Sequence, residues 1–163
     1  VGELTQEMLT VYRCPTDASP NINAVRGKFG TSNYAGNYGS QVLPGSVDAA
    51  RDANGLFYCN SKTQFRSVQD GLSTTIMVGE RALSSAAAIW VGVRSNQNGG
   101  DNVSACSEQS RIDSVVGAFS SRHVGGATFL LGDGSVRFVS EKLDPKVWEG
   151  LGTRAGGEKI GPD

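Results

Sequence analysis

The chain has 163 residues, enough for one domain with a real core, and a domain of this length buries roughly 70% of the surface its unfolded chain exposes. Fifteen basic against sixteen acidic residues give a net charge of -1 with no face-length run of Lys or Arg, which argues against a nucleic-acid or anionic-membrane surface. The 22 glycines are about twice the usual share and follow no G-x-y period, so collagen is excluded and they read as turns, bulges and bends. No apolar stretch approaches the roughly 18 residues of a membrane span, and the longest, Ala86 to Val93, reads as a buried strand.

In chain order, residues 1–13 read as the tail of an amphipathic helix, with Leu4, Met8 and Val11 or Tyr12 at helical spacing and Pro15 stopping the pattern. Because the chain starts at Val1 inside that pattern, a further portion of the helix is expected upstream. Thr16 to Ala53, rich in Gly, Asn, Ser and Asp, reads as loops supporting short strands at Lys28 to Tyr34 and Gln41 to Leu43. A more regular half begins at Gly55 to Tyr58. Asp70-Gly71 is a turn, Thr74 to Val78 a β-branched strand and Ile89 to Val93 another. Residues 94–113 carry almost no apolar side chains and are expected to form a long polar surface loop.

The strongest local signal is Asp133-Gly134, flanked by apolar runs within Gly126 to Ser140, which predicts a β-hairpin. A two-residue turn there would set Leu131 opposite Val136 and Phe129 opposite Phe138 on one apolar face, with Leu130 and Arg137 on the other. Asp144 as N-cap and Pro145 at the first helical position then start a short helix carrying Val147 and Trp148, which Gly150 can close. The pattern is α+β: one domain over 1–163, an N-terminal helix packed on an antiparallel β-sheet, and long loops. Alternating βαβ units are absent, which disfavours a doubly wound nucleotide-binding fold.

Few residues offer chemistry. Cys14, Cys59 and Cys106 have no C-x-x-C spacing, and one histidine cannot complete the common Cys/His zinc sites. In an oxidising compartment the three thiols admit three pairings and leave one over. His123 is the sole imidazole, no G-x-S-x-G elbow accompanies it, and it reads as a loop-orienting residue; if most of the span to Asp133 is strand, the two stand roughly 25–33 Å apart. Asp70, Asp101, Asp113 and Asp133 could supply oxygens for calcium through a site built with loop carbonyls, although no EF-hand spacing is present. Gly125-Gly126 and Gly156-Gly157 read as bends, since neither is followed by the Lys-Ser/Thr of a phosphate loop.

Several motifs occur in a fixed order. They are Cys14-Pro15-Thr16-Asp17, the run Asn33-Tyr34-Ala35-Gly36-Asn37-Tyr38-Gly39, Asp70-Gly71 running on to Gly79-Glu80-Arg81, and Ser121-Arg122-His123-Val124-Gly125-Gly126 leading to Asp133-Gly134. Together they resemble a large bacterial family of pseudopilin-like extracellular proteins marked by a C-terminal H-x9-D-G motif. The resemblance covers nearly the whole chain from about residue 12. It implies a pilin-like head from the cell envelope, facing the periplasm or the exterior. It also implies a hydrophobic helix before Val1 as membrane anchor and as contact with other pilin or pseudopilin subunits, as in type IV pilins and type II secretion pseudopilins.

The resemblance implies neither an enzyme nor a resident cofactor; Cys14, Pro15, Asp17, Asp70, Gly71, His123, Gly125, Gly126, Asp133 and Gly134 carry over as structural markers. Members are also described as solute-binding components, so an extracellular solute- or glycan-binding module using Tyr34, Tyr38 and Trp90 is the alternative. Cys59 and Cys106 fall outside the family pattern, and against it they are expected to pair with each other, leaving Cys14 buried and free.

Overall fold

The computed structural model describes residues 2–43, 53–92 and 99–158. Eight strands follow in chain order: β1 (Ile22–Asn23), β2 (Phe29–Ser32), β3 (Tyr34–Gly39), β4 (Ile76–Glu80), β5 (Ala88–Ile89), β6 (Val103–Ala105), β7 (Gly126–Leu131) and β8 (Val136–Ser140). They form a three-stranded sheet of order β1-β2-β5 and a five-stranded sheet of order β6-β3-β4-β7-β8. Every pairing is antiparallel except β3 with β6, which is parallel. One α-helix is present among the described residues, α1 (Pro145–Gly152) at the C-terminal end, and no helix there is long and apolar enough to cross a membrane.

The expected N-terminal helix packed on an antiparallel sheet is overturned. Residues 3–12 form two separate 3-10 turns, Glu3–Gln6 and Thr10–Tyr12, joined by extended backbone. The apolar stripe that suggested a helix finds no cover, since Leu4 is 79% and Val11 76% exposed. Without a buried face a short helix has little to offset its nucleation cost. The segment is instead tied down by its backbone: Trp90 Nε1 donates to the Glu7 carbonyl at 2.9 Å, and the Tyr12 carbonyl accepts from Asn33 N–H at 2.8 Å.

The predicted surface loop at 94–113 is also corrected, where it is described. From residue 99 onward it supplies a 3-10 turn and the edge strand β6, and Asp101, Ser104, Ala105 and Cys106 are fully buried. Part of its polarity is satisfied from within: Arg26 pairs with Asp101 at 2.5 Å, and Arg81 donates to the carbonyls of Gly100 and Val103, while the buried Ser107 Oγ finds no partner among the described residues. Residues 94–98 lie outside the described residues. Of the other expected strands, the run Lys28 to Tyr34 splits into β2 and the start of β3, while Gln41 to Leu43 forms none.

The C-terminal half follows its sequence more closely. Asp144 caps α1 by accepting from Lys146 N–H and Val147 N–H at 2.9 and 3.3 Å, with Pro145 at the start as expected. The helix drops Trp148 and Leu151 onto the five-stranded sheet, where Phe119, Phe129 and Trp148 meet edge to face with ring centroids 5.2 to 6.1 Å apart. Gly79 on β4 lies directly beneath the Phe119 and Phe129 rings, so any side chain there would collide with them.

The hairpin forms with a different register. Gly134 N–H donates to the Leu131 carbonyl, and Leu131 N–H to that of Ser135, leaving three residues in the loop with Gly134 left-handed at φ 86°. That is the three-residue connection ending in a bulge, which shifts pairing by one residue relative to a two-residue turn. Phe129 therefore faces Arg137, Thr128 faces Phe138 and Leu130 faces Val136. A one-residue slip sends a side chain to the other face. Phe129 is fully buried while Phe138 is 55% exposed.

All three cysteines are free thiols, so the Cys59 to Cys106 pairing is corrected as well. Cys106 lies under α1, against Gly152 and beside the Asn37 side chain, and burial pushes its thiol well above the ordinary value. Cys59 lines a groove with Gly36 and Tyr38, the neighbours of Asn37 on β3. The two thiols thus have different surroundings, Cys106 under α1 and Cys59 in the groove, and neither is bonded to the other.

Candidate functional site

The motif residues converge where the chain leaves its N-terminal segment. Cys14-Pro15-Thr16-Asp17 is a tight turn, closed by Asp17 N–H donating to the Cys14 carbonyl at 3.1 Å with Pro15 in its favoured place. The Asn33 side-chain oxygen accepts from Cys14 N–H at 3.1 Å, and Asn33's own carbonyl accepts from Arg81 N–H at 2.7 Å. This turn is thereby fixed to the ends of β3 and β4. Asp17 is buried and accepts from Ser19 N–H at 2.7 Å, from Ser19 Oγ and from Leu83 N–H at 3.0 Å. Burial alone would raise its pKa, but these hydrogen bonds outweigh it and hold the carboxyl below its usual value.

Beside the turn, Cys14, Glu80 and His123 place their functional atoms together. Cys14 Sγ lies 3.4 Å from Glu80 Oε1 and 4.0 Å from His123 Nε2, and His123 Nε2 lies 3.3 Å from Glu80 Oε1. Glu80, at the end of β4, is buried, and its second oxygen accepts from Thr128 N–H on β7 at 2.7 Å. The Cys14 thiol also meets Thr16 Oγ1 at 3.1 Å. The His123 ring, 37% exposed, closes the cluster from the solvent side. Among the described residues this is the one grouping of three or more His, Cys, Asp or Glu ligand atoms.

The arrangement differs from a nucleophilic triad. In a triad the base contacts its nucleophile through one ring nitrogen and its orienting carboxylate through the other. Here Cys14 and Glu80 both approach Nε2, and they also contact each other.

The other markers hold the frame. Asp70 accepts from Gly156 N–H at 2.7 Å, Gly157 N–H at 2.8 Å and Thr153 Oγ1 at 3.0 Å, pinning the C-terminal tail, and Gly71 beside it has φ 101°. Asp133 accepts from Ser135 Oγ and N–H inside the hairpin loop, which lowers its pKa. It sits at the far end of β7 from His123. Gly125 has φ 87°, and Gly126 packs against the Val139 carbonyl. Asp70, Asp101, Asp113 and Asp133 form no common oxygen cluster among the described residues.

Glu80 is the residue the sequence reading passed over, although it stood inside a quoted motif. Its signal was an acidic and a basic residue, Glu80-Arg81, closing an otherwise apolar strand. Both are buried.

Next to the cluster is a groove of about 600 Å³ lined by Tyr12, Tyr34, Tyr38, Phe57, Tyr58 and Trp90. The Tyr12 and Trp90 rings are nearly parallel, with centroids 6.4 Å apart. Tyr34, opposite Glu80 in the β3–β4 ladder, adjoins both sites; burial raises its pKa, and electrostatic interaction with Cys14 and Glu80 raises it further.

The family SBP_bac_10, described as a protein of unknown function (DUF1559), has a model that matches residues 2–146. The chain belongs to that family. No curated protein and no solved structure gives a significant match. Family membership thus fixes kinship over both the turn and the His123 segment without assigning them a role.

Proposed function

We propose that this domain is the non-catalytic head of a pseudopilin-like subunit of the cell envelope, facing the periplasm or the exterior and joined to other pilin-like subunits through a hydrophobic N-terminal helix of the complete protein. The observation that carries this reading is the use to which the motif side chains are put. Asn37 donates to the carbonyls of Ile76 and Gly152 at 2.8 Å each, Arg81 to those of Ala86, Gly100 and Val103, and Asp70 and Asp17 hold distant backbone N–H groups. These are the bonds of a shape-making subunit, and they leave few motif groups free for turnover. The test is to express the complete gene product with an epitope tag and follow its fractionation and N-terminal processing. The reading requires a basic leader that is removed, recovery with the membrane fraction and cross-linking to pilin-like partners. A freely soluble product without processing would refute it.

A second reading rests on the aromatic groove. Facing rings such as Tyr12 and Trp90 suit a flat apolar or sugar-like solute. Titration with an oligosaccharide panel, followed by Trp fluorescence, should then show saturable quenching that Trp90→Ala removes. A flat response across the panel rejects it.

A further inference from the structure

The geometry points to a zinc site formed by Cys14 Sγ, Glu80 Oε1 and His123 Nε2, with a water in the fourth position. Zinc takes thiolate, imidazole and carboxylate ligands at about 2.0–2.3 Å in tetrahedral array, which sets ligand atoms roughly 3.4–3.6 Å apart. The three atoms stand 3.4, 4.0 and 3.3 Å from one another: the two edges to Glu80 match that spacing, and the Cys14–His123 edge is longer and would close when the ion binds. Convergence on a single point, rather than a chain through two imidazole nitrogens, is what a metal requires and what a nucleophilic triad does not supply.

The donor set also fits by charge and hardness. One thiolate, one carboxylate and a neutral imidazole balance a divalent ion, and sulfur with nitrogen selects a borderline-soft metal over calcium or magnesium. On binding, the Cys14 thiol gives up its proton to solvent as the S–Zn bond forms. The ligands are already oriented: Cys14 by its backbone bond to Asn33, and Glu80 by Thr128 N–H on its other oxygen. The exposed side of His123 leaves the fourth position open to water.

The three ligands come from the N-terminal turn, the end of β4 and the segment before β7. A bound ion would therefore clamp the N-terminal segment to the sheet. The site is independent of what the head assembles with or binds in its groove.

The experiment uses the purified chain, stripped with chelator and kept reduced by a phosphine, in equilibrium dialysis against Zn²⁺. One zinc per chain is expected, with a rise in the melting temperature. The variants His123→Ala, Cys14→Ser and Glu80→Gln should each weaken binding by more than the roughly 100-fold that outer-sphere changes reach, while Cys59→Ser leaves it unchanged. Co²⁺ in place of zinc should give a thiolate-to-metal charge-transfer band that Cys14→Ser abolishes. His123→Ala removes a partly exposed ring, so this variant, checked for native circular dichroism, carries the test should a buried substitution prevent folding. Sub-stoichiometric zinc, unchanged affinity in His123→Ala, or a cobalt complex without the thiolate band would each overturn the assignment.

Discussion

The two sheets are held together in different ways. Around the five-stranded sheet the cohesion is apolar, with Phe119, Phe129, Trp148, Ile76 and Leu131 all essentially removed from water. The three-stranded sheet is made of shorter pieces, and both β1 and β5 have only two residues. Polar side chains reach across that side and take over the ladder's work: Asn23 Nδ2 donates to the Ala87 carbonyl at 2.7 Å, Arg26 Nε to the same carbonyl at 3.0 Å, and Arg81 to Ala86. Much of the Asn and Arg content that reads as surface is therefore internal framework. A protein with little charge can place part of it inside, provided each group finds a partner.

The largest expected effect comes from emptying the apolar side. Trp148→Ala removes the ring that meets both phenylalanines and should cost roughly 3–5 kcal/mol. Chemical denaturation reads it directly, and a loss below about 1 kcal/mol would show that the aromatic cluster is not where the stability lies. The matching test of the polar side is Arg81→Met. The guanidinium is fully buried, and burial together with repulsion from Arg26 pulls its pKa down to about 9 while Asp101 pulls back. Replacing it with a side chain of similar volume relieves that burial but strands the carbonyls of Gly100 and Val103, while Arg26 still donates to that of Ala86. At about 1–3 kcal/mol for an unsatisfied buried group, the net loss should be about 3 kcal/mol. A neutral Arg81→Met would mean that the polar frame is incidental and the contrast between the two sides fails.

Asp17 sharpens the comparison through pH. Its folded pKa lies below the unfolded value, so the charged carboxylate stabilises the fold at neutral pH. That contribution is complete above the unfolded value near 4 and is lost as pH falls through the lower, folded value. Asp17→Asn should therefore cost about 2 kcal/mol at pH 7, in the range for a hydrogen-bonded charge, and the gap should narrow as pH falls towards 3. Thermal melts of both proteins at the two pH values decide it; an equal gap at both would remove Asp17 from the acid response.

The parts readable from sequence were those with local causes. The Asp144-Pro145 helix start and the hairpin at Asp133-Gly134 depend on a few adjacent residues, and both formed, the hairpin with a three-residue loop in place of the two-residue turn. The parts misread depended on a distant partner. Leu4, Met8 and Val11 keep helical spacing, but whether a helix forms depends on an apolar surface to cover them, which spacing does not encode. The polar run through Asp101 and Ser104 looks solvated until Arg26 and Arg81, 75 and 23 residues away from them in sequence, are seen to pair with it. The cluster shares that limitation: Cys14 and His123 stand 109 residues apart, and only the β3–β4–β7 order brings Glu80 between them.

The smallest expected effect tests the hairpin register, where local and global reasoning disagreed. With a two-residue turn Phe138 would share the core face with Phe129, and placing a charge there would be as damaging as truncating Phe129, roughly 3–5 kcal/mol. With the three-residue loop that Gly134 closes, Phe138 points outward opposite Thr128 on the edge strand β8. Phe138→Lys should then change stability by no more than about 0.5 kcal/mol, the usual range at the surface. The added lysine should also make β8 a poorer template for another strand, since charge along an edge discourages pairing. A cost above about 2 kcal/mol would restore the two-residue turn and place the Phe138 ring in the apolar core; a near-neutral result fixes the register and leaves Val139, not Phe138, as the side chain that β8 gives to that core.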